Sequence, residues 1–131
     1  MSFDQKLIRF LRLGVYLALA TPLVYTGFTI YPFIFGKTVF FRLVVELLAV
    51  PYVVLLLRAP QYRLKRSPLS IAVAAYLGIS FIAALLGVDF WRSFWSNHER
   101  MTGLFTLTHV VVLFFIAQSV FRTREDWQRL L

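Results

Sequence analysis

Four apolar blocks fill most of this chain, and its charged residues gather in the gaps between them. The blocks cover residues 13–35, 38–57, 69–88 and 102–121. Each is close to the ~20 residues a helix needs to cross a bilayer. The first and third hold no charged side chain, and the fourth holds only a histidine. A backbone in lipid must satisfy its own hydrogen bonds, so each block is expected to be a transmembrane helix. The expected fold is all-α: a polytopic membrane bundle of about four spans, forming one domain over residues 1–131.

Composition agrees with that solvent. Only 15% of the 131 residues are charged, against about a quarter in a soluble domain. The spans and short loops use up the length and leave no room for a separate soluble domain. The chain has no cysteine, which excludes disulfides and thiolate metal sites. Its net charge of +8 is spread over loops and is not focused on one folded face. It therefore reads as a bias that orients the chain in a bilayer, and not as a nucleic-acid footprint. Lys6, Arg9 and Arg12 precede Ala18-Leu19-Ala20, which resembles a signal-peptide cleavage site. The apolar block runs on to Phe35, so an uncleaved first span is expected.

Basic residues fix a topology. The amino-terminal segment, the second loop and the tail hold ten Lys and Arg, and the other two loops with their flanks hold Lys37, Arg42, Arg92 and Arg100. Both termini are thus expected in the cytoplasm and the third loop outside. The short link at Gly36-Lys37 suggests a tight hairpin between the first two spans. Pro22 and Pro51 are expected to kink their spans, and Pro32 lies near an outer end. Ser70, Ala74 and Gly78, then Ala83 and Gly87, recur at steps of four, as small residues do where helices approach closely.

Two polar residues within the blocks stand out. Glu46 is the only carboxylate in any of them. Ionisable groups at membrane depth are costly and usually face a bundle interior or a watery cavity. Arg42 lies one turn earlier on the same face and could neutralise it. His109 aligns with Glu99, Thr102 and Thr106 along one side of the fourth span. Taking the outer ends near Thr38 and Gly103, Glu46 lies roughly 12 Å deep and His109 roughly 9 Å deep. Two readings stay open. Glu46 and His109 face each other, or a shared cleft open to the outside. Alternatively, Arg42 and Glu46 form a structural pair, and His109 bonds a backbone carbonyl.

The third loop alternates aromatics with charges. Phe90, Trp91, Phe94 and Trp95 recur at one-turn spacing, which predicts a short amphipathic helix at the outer headgroups. It could be an anchor alone. Alternatively Arg92 and Arg100, with Arg42 near the same boundary, contact a lipid phosphate through the planar guanidinium fork. His98 and His109 lack metal-ligand spacing, so no metal is expected. No phosphate-binding glycine loop, nucleophile elbow or zinc-protease motif is present, so no cofactor is expected and catalytic residues are unknown.

The run Ser93-Phe94-Trp95-Ser96-Asn97-His98-Glu99-Arg100-Met101-Thr102-Gly103-Leu104 resembles a segment of bacterial O-antigen ligase and polymerase-like membrane proteins. Ser96 stands where that family would have glycine. Phe35-Gly36-Lys37, followed by Phe40-Phe41-Arg42 and Glu46, looks like the start of the family's second span. The resemblance covers most of this chain but only the amino-terminal part of such a protein. It implies lipopolysaccharide biosynthesis in the bacterial inner membrane. The reaction it implies is glycan transfer from an undecaprenyl-pyrophosphate carrier at the periplasmic face. The family's main catalytic arginines and histidine lie in later loops with no counterpart here, so the chain alone is expected to be inactive. The rival is a small non-enzymatic four-span protein, such as a transporter subunit or assembly partner. The enzyme reading expects a reading frame that continues past Leu131, and the rival a stop there. The oligomeric state is left open.

Overall fold

A computed structural model of the chain describes residues 3–28, 31–64, 66–97 and 99–130. Lys65 and His98 lie outside the described residues. All regular structure among the described residues is helical. The helices are α1 (Phe3–Leu19), α2 (Phe35–Arg58), α3 (Pro68–Leu86), α4 (Phe90–Trp95), α5 (Leu104–Val120) and α6 (Arg124–Leu130). Short 3-10 turns follow α1 at Thr21–Leu23 and α2 at Pro60–Tyr62.

α2 and α3 are long and apolar enough to cross a membrane, and α5 is a shorter apolar helix of 17 residues. α3 is open along most of its length. Leu69, Ile71, Tyr76, Ile79, Ile82, Leu85 and Leu86 are all exposed. A soluble core helix hides such side chains, and a contiguous apolar surface of this kind marks contact with lipid or another protein.

The block at residues 13–35 is not one helix, so this part of the expected four-span plan is corrected. The first helix starts ten residues earlier, at Phe3, and stops at Leu19. Lys6, Arg9 and Arg12 lie within it, which makes α1 amphipathic. Proline explains the stop. A continuing helix would need an N–H at residue 22 to reach Ala18 O, and Pro22 has none. The Thr21 hydroxyl donates to Ala18 O instead, at 2.6 Å. The chain then makes one 3-10 turn, and the next helix begins only at Phe35. Pro22 therefore ends a helix where a kink was expected, and α1 and α2 are not joined by a tight link at Gly36. Pro51 does lie inside α2.

α2 and α5 run parallel, because Arg42, Glu46 and Tyr52 meet Thr106, His109 and Ser119 in the same order. α1 runs antiparallel to α2: Gly14 abuts Leu48, and Asp4 pairs with Arg58. α3 runs back along α5, with Ser70 bonded to Gln118 at one end and Ser80 and Ala84 beside Leu104 and Leu107 at the other. The core lies where α1, α2 and α5 meet, around Leu11, Val15, Leu48, Leu55, Ile116 and Val120.

Lipid is as apolar as leucine, so in a bilayer polar ties do much of the work of fixing helices against one another. They cluster at the end of the bundle near Arg58. Arg12 donates to Val120 O at 2.8 Å and to Asp126 at 3.0 Å, covering a carbonyl in the last turn of α5. Tyr52 and Ser119 hydroxyls lie 3.0 Å apart. Ser67 caps α3 by accepting from Ser70 N, and the Ser70 hydroxyl donates to Gln118 at 2.9 Å. Ser70, expected as a small packing residue, thus serves as a hydrogen-bonding one. Gly78 meets no neighbour within 4 Å, so the small-residue step makes no close approach there.

α4 forms because Asp89 caps it, accepting from Arg92 N at 3.0 Å. Phe90 stacks on Phe94 and meets Phe81 of α3 edge-on, while Phe94 and Trp95 lie against Phe105 of α5. The expected aromatic stripe therefore divides: Phe90 and Phe94 turn toward α3 and α5, and Trp91 stays exposed. Beyond α4 the chain turns through Ser96, at φ 62° and ψ −171°. That region is essentially restricted to glycine and costs a side-chain-bearing residue of order 1–3 kcal/mol. A Cβ on Gly103 would lie 2.7 Å from both Ser96 N and Trp95 C, so α5 can start there only with glycine. Ser96→Gly is expected to raise stability by about 1 kcal/mol. Gly103→Ala should lower it by about 1–3 kcal/mol through overpacking. Unfolding of the purified chain in mild detergent, followed by circular dichroism, measures both; equal stabilities would count against this turn.

Candidate functional site

The polar residues singled out in the sequence converge between α2 and the start of α5. Arg42 is only 9% exposed. Its Nη2 donates to Thr106 Oγ1 at 2.6 Å and to Met101 O at 3.3 Å, and its Nε also reaches Thr106 Oγ1. The Thr106 hydroxyl in turn donates a hydrogen bond to Met101 O at 2.6 Å. The guanidinium carbon lies 4.9 Å from the centre of the Phe105 ring, within cation–π range. Among the described residues Arg42 has no carboxylate within ion-pair distance. A hydroxyl, a carbonyl and an aromatic face solvate its charge, and the Glu46 carboxylate acts on it from beyond ion-pair distance.

That guanidinium borders a cleft of about 270 Å³ lined by Arg42, Trp95, Ser96, Asn97 and Met101. The loop forming its far wall is held by Asn97, whose side chain accepts from Arg100 N and whose carbonyl accepts from Met101 N. Met101 itself has φ 51°, in the left-handed region that few side-chain-bearing residues occupy. The cleft therefore offers a buried cation beside an indole.

Glu46, one turn from Arg42, turns instead to α5. Its Oε1 lies 3.1 Å from His109 Nε2. His109 is buried, and its Nδ1 lies 2.7 Å from Phe105 O. A carbonyl only accepts, so Nδ1 must carry a proton. The second ring nitrogen then faces a carboxyl oxygen, and that bond also needs a proton, on either Nε2 or Oε1. Beside this pair is a notch of about 80 Å³ lined by Val45, Glu46, Ala49, Thr108, His109 and Val112. Its surface is almost wholly apolar, so it is not a ready seat for water.

The structure thus brings Arg42, Glu46 and His109 together along the half of the α2–α5 pair that includes the start of α5. Glu46 meets His109, and His109 also bonds a backbone carbonyl, so elements of both sequence readings coexist. The expected ion pair between Arg42 and Glu46 is absent within 4 Å. Thr106 does lie on the polar line of α5, where it serves Arg42. Thr102 borders a different cleft, between α3 and α5. Arg92 and Arg100 are exposed and do not line the Arg42 cleft. Sequence reasoning missed the Met101 carbonyl and the Trp95–Asn97 wall. The signal available was the Arg42–Thr106 alternative to an i,i+4 pair. No metal cluster occurs among the described residues.

No family model matches the chain, and no curated protein or solved structure matches it either.

The tautomer argument has a direct test. The chain has two histidines, His98 and His109, so histidine-selective ¹⁵N labelling with an His98→Gln variant isolates His109. Its Nδ1 is expected protonated throughout. Glu46→Gln should fix the neutral Nδ1–H form, because the amide can donate to Nε2. An Nε2–H neutral ring in the unsubstituted chain would refute the assignment.

Proposed function

We propose that the chain is a membrane portion of an O-antigen ligase-like glycan transferase. In this reading it helps seat an undecaprenyl-pyrophosphate-linked glycan at the periplasmic face of a bacterial inner membrane. The observation that carries the proposal is the Arg42 cleft: a buried arginine with no carboxylate in direct contact, sharing a cleft with Trp95 and Asn97. A pyrophosphate brings negative charge into direct contact with the guanidinium. Arginine's planar fork suits phosphate oxygens, and the sugar face of a glycan suits an indole wall. The resemblance of residues 93–104 to the ligase-like segment falls on the loop that builds this cleft.

In this reading the α2 and α5 ends nearest Arg42 face the periplasm, with α4 lying at the headgroups. Arg92 and Arg100 then act from the rim, attracting the anionic donor without bonding it in the cleft. The end bearing Arg58, Arg63 and Arg122 faces the cytoplasm, as positive residues do. One observation favours the non-enzymatic rival. Both His109 nitrogens are already engaged, so the visible acid–base pair has no ring nitrogen free for a substrate.

The chain reconstituted in phosphatidylcholine vesicles separates these readings, with undecaprenyl pyrophosphate as the probe. Arg42→Gln is expected to weaken binding about tenfold or more, since a hydrogen bond to a charged group contributes about 1.5–3 kcal/mol. Arg42→Lys should lose less. Arg92→Gln with Arg100→Gln should lose less still and mainly slow association. Lys65→Gln, in the loop whose basic residues are expected at the cytoplasmic face, should lose nothing. Equal losses from all would show net-charge attraction alone, and no loss at Arg42 would remove the cleft as the donor seat. In intact cells, a cysteine at Asn97 should react with an impermeant reagent and one at Gln61 should not; the reverse pattern would invert the orientation.

A further inference from the structure

α2 presents an open seam that belongs against another helix. Leu43, Glu46, Val50, Val53 and Leu57 follow one another at steps of three, four, three and four. This is the a/d spacing of a helix that packs in left-handed register against a neighbour. The apolar members are 54%, 69%, 52% and 73% exposed in that order. Nothing within the described chain covers them. An apolar stripe alone would need no partner, because lipid covers it.

Glu46 makes the difference. Its side chain is 53% exposed within this stripe. It lies eleven residues from the first residue of α2 and twelve from the last. That is roughly 16 and 18 Å along the helix axis, so it sits at the middle of α2. One oxygen is used by His109. The other, Oε2, has no hydrogen-bond donor among the described residues. An acceptor open to hydrocarbon at that depth is costly, and carboxyls in membranes face protein or a watery cavity.

We infer that the Leu43–Glu46–Val50–Val53–Leu57 face of α2 docks an apolar transmembrane helix. That helix carries an amide side chain, Asn or Gln, level with Glu46. Three features of this face select that occupant. The 3-4 spacing fits a helix and not a lipid chain. The free carboxyl oxygen asks for a donor. The local charge asks for a neutral one, because the Arg42 guanidinium sits one turn away and already acts on Glu46. A second copy of the chain fits poorly, since a two-fold seam would set Glu46 against Glu46, acceptor against acceptor. The inference rests on α2 lying in a bilayer, and not on any ligand in the Arg42 cleft.

The test uses the full chain in phosphatidylcholine–phosphatidylglycerol vesicles and fluorescent Leu/Val transmembrane peptides. One peptide carries a central Asn, one a central Lys, and one neither. Energy transfer to a label on the chain reads association. The Asn peptide is expected to bind about tenfold tighter than the purely apolar one, the order that interhelical hydrogen bonds give in model peptides. Glu46→Leu should abolish that preference. Val50→Trp should abolish it too while leaving the Glu46–His109 contact in place, so a misfolded Glu46 variant cannot decide the result. Equal binding of the Asn and apolar peptides would overturn the inference and leave the seam to lipid. Preference for Lys would overturn the neutral donor. Disulfide dimers formed by Leu43→Cys, Val50→Cys and Leu57→Cys variants would overturn the occupant in favour of a second copy.

Discussion

The parallel pairing of α2 with α5 is the constraint on which the other elements depend. Three polar side chains of α2 find partners on α5: Arg42 with Thr106, Glu46 with His109, and Tyr52 with Ser119. Apolar packing in lipid tolerates sliding, because one leucine contact resembles another. Polar pairs do not, because a slip leaves a buried guanidinium or imidazole without a partner. These ties therefore set the register, and the apolar core of Leu48, Leu55, Ile116 and Val120 packs within it. Two parallel neighbours also need an element that carries the chain back. α3 does this, running antiparallel to α5 and tied to it by Ser70 and Gln118. Its exposure follows: α3 is a return path laid on the outside of the α1–α2–α5 core.

How much of this was legible depends on which physical property each element uses. Hydropathy located three helices closely: the blocks at 38–57, 69–88 and 102–121 overlap α2, α3 and α5. It failed at 13–35, because hydropathy measures compatibility with lipid and not continuity of the backbone. Pro22 breaks the ladder in a stretch whose composition never changes. The same error hid α1. Lys6, Arg9 and Arg12 looked like charges flanking a span, yet they form the polar side of a helix whose Leu11, Val15 and Ala18 are buried. Only the spacing of 11, 15 and 18 carried that information.

The site was legible by residue but not by pairing. Glu46 and His109 stood out because charge and imidazole are rare at such positions, and helical spacing put Thr106 on the same side of α5 as His109. The Arg42–Glu46 pair followed from a rule that holds for isolated helices. In the folded chain each had a competing partner across the helix interface. Arg42 gained a hydroxyl, a carbonyl and an aromatic face together, which no single-helix rule can foresee. The hydrogen bonds of Ser70 with Gln118 and Tyr52 with Ser119 were invisible for another reason. Hydroxyls and amides barely change the average of an apolar block, and they matter only when two helices align them.

The turn after α4 and the Arg42 site are one mechanical unit. Ser96 and Met101 both adopt positive φ, and Gly103 lets α5 begin against the backbone of Trp95 and Ser96. This tight path aims the Met101 carbonyl at both Arg42 and Thr106. Asn97 holds the loop between them through Arg100 N and Met101 N. The aromatic contacts of Phe94 and Trp95 with Phe105 seat α4 on the residue whose ring also faces the guanidinium. A shift of α4 therefore moves Phe105 and the loop carbonyl together, and with them two of the three groups that solvate Arg42. Strain in a loop persists where its surroundings over-determine it. Here the surroundings are a helix start, an aromatic seat and a buried cation, and each constrains the other two.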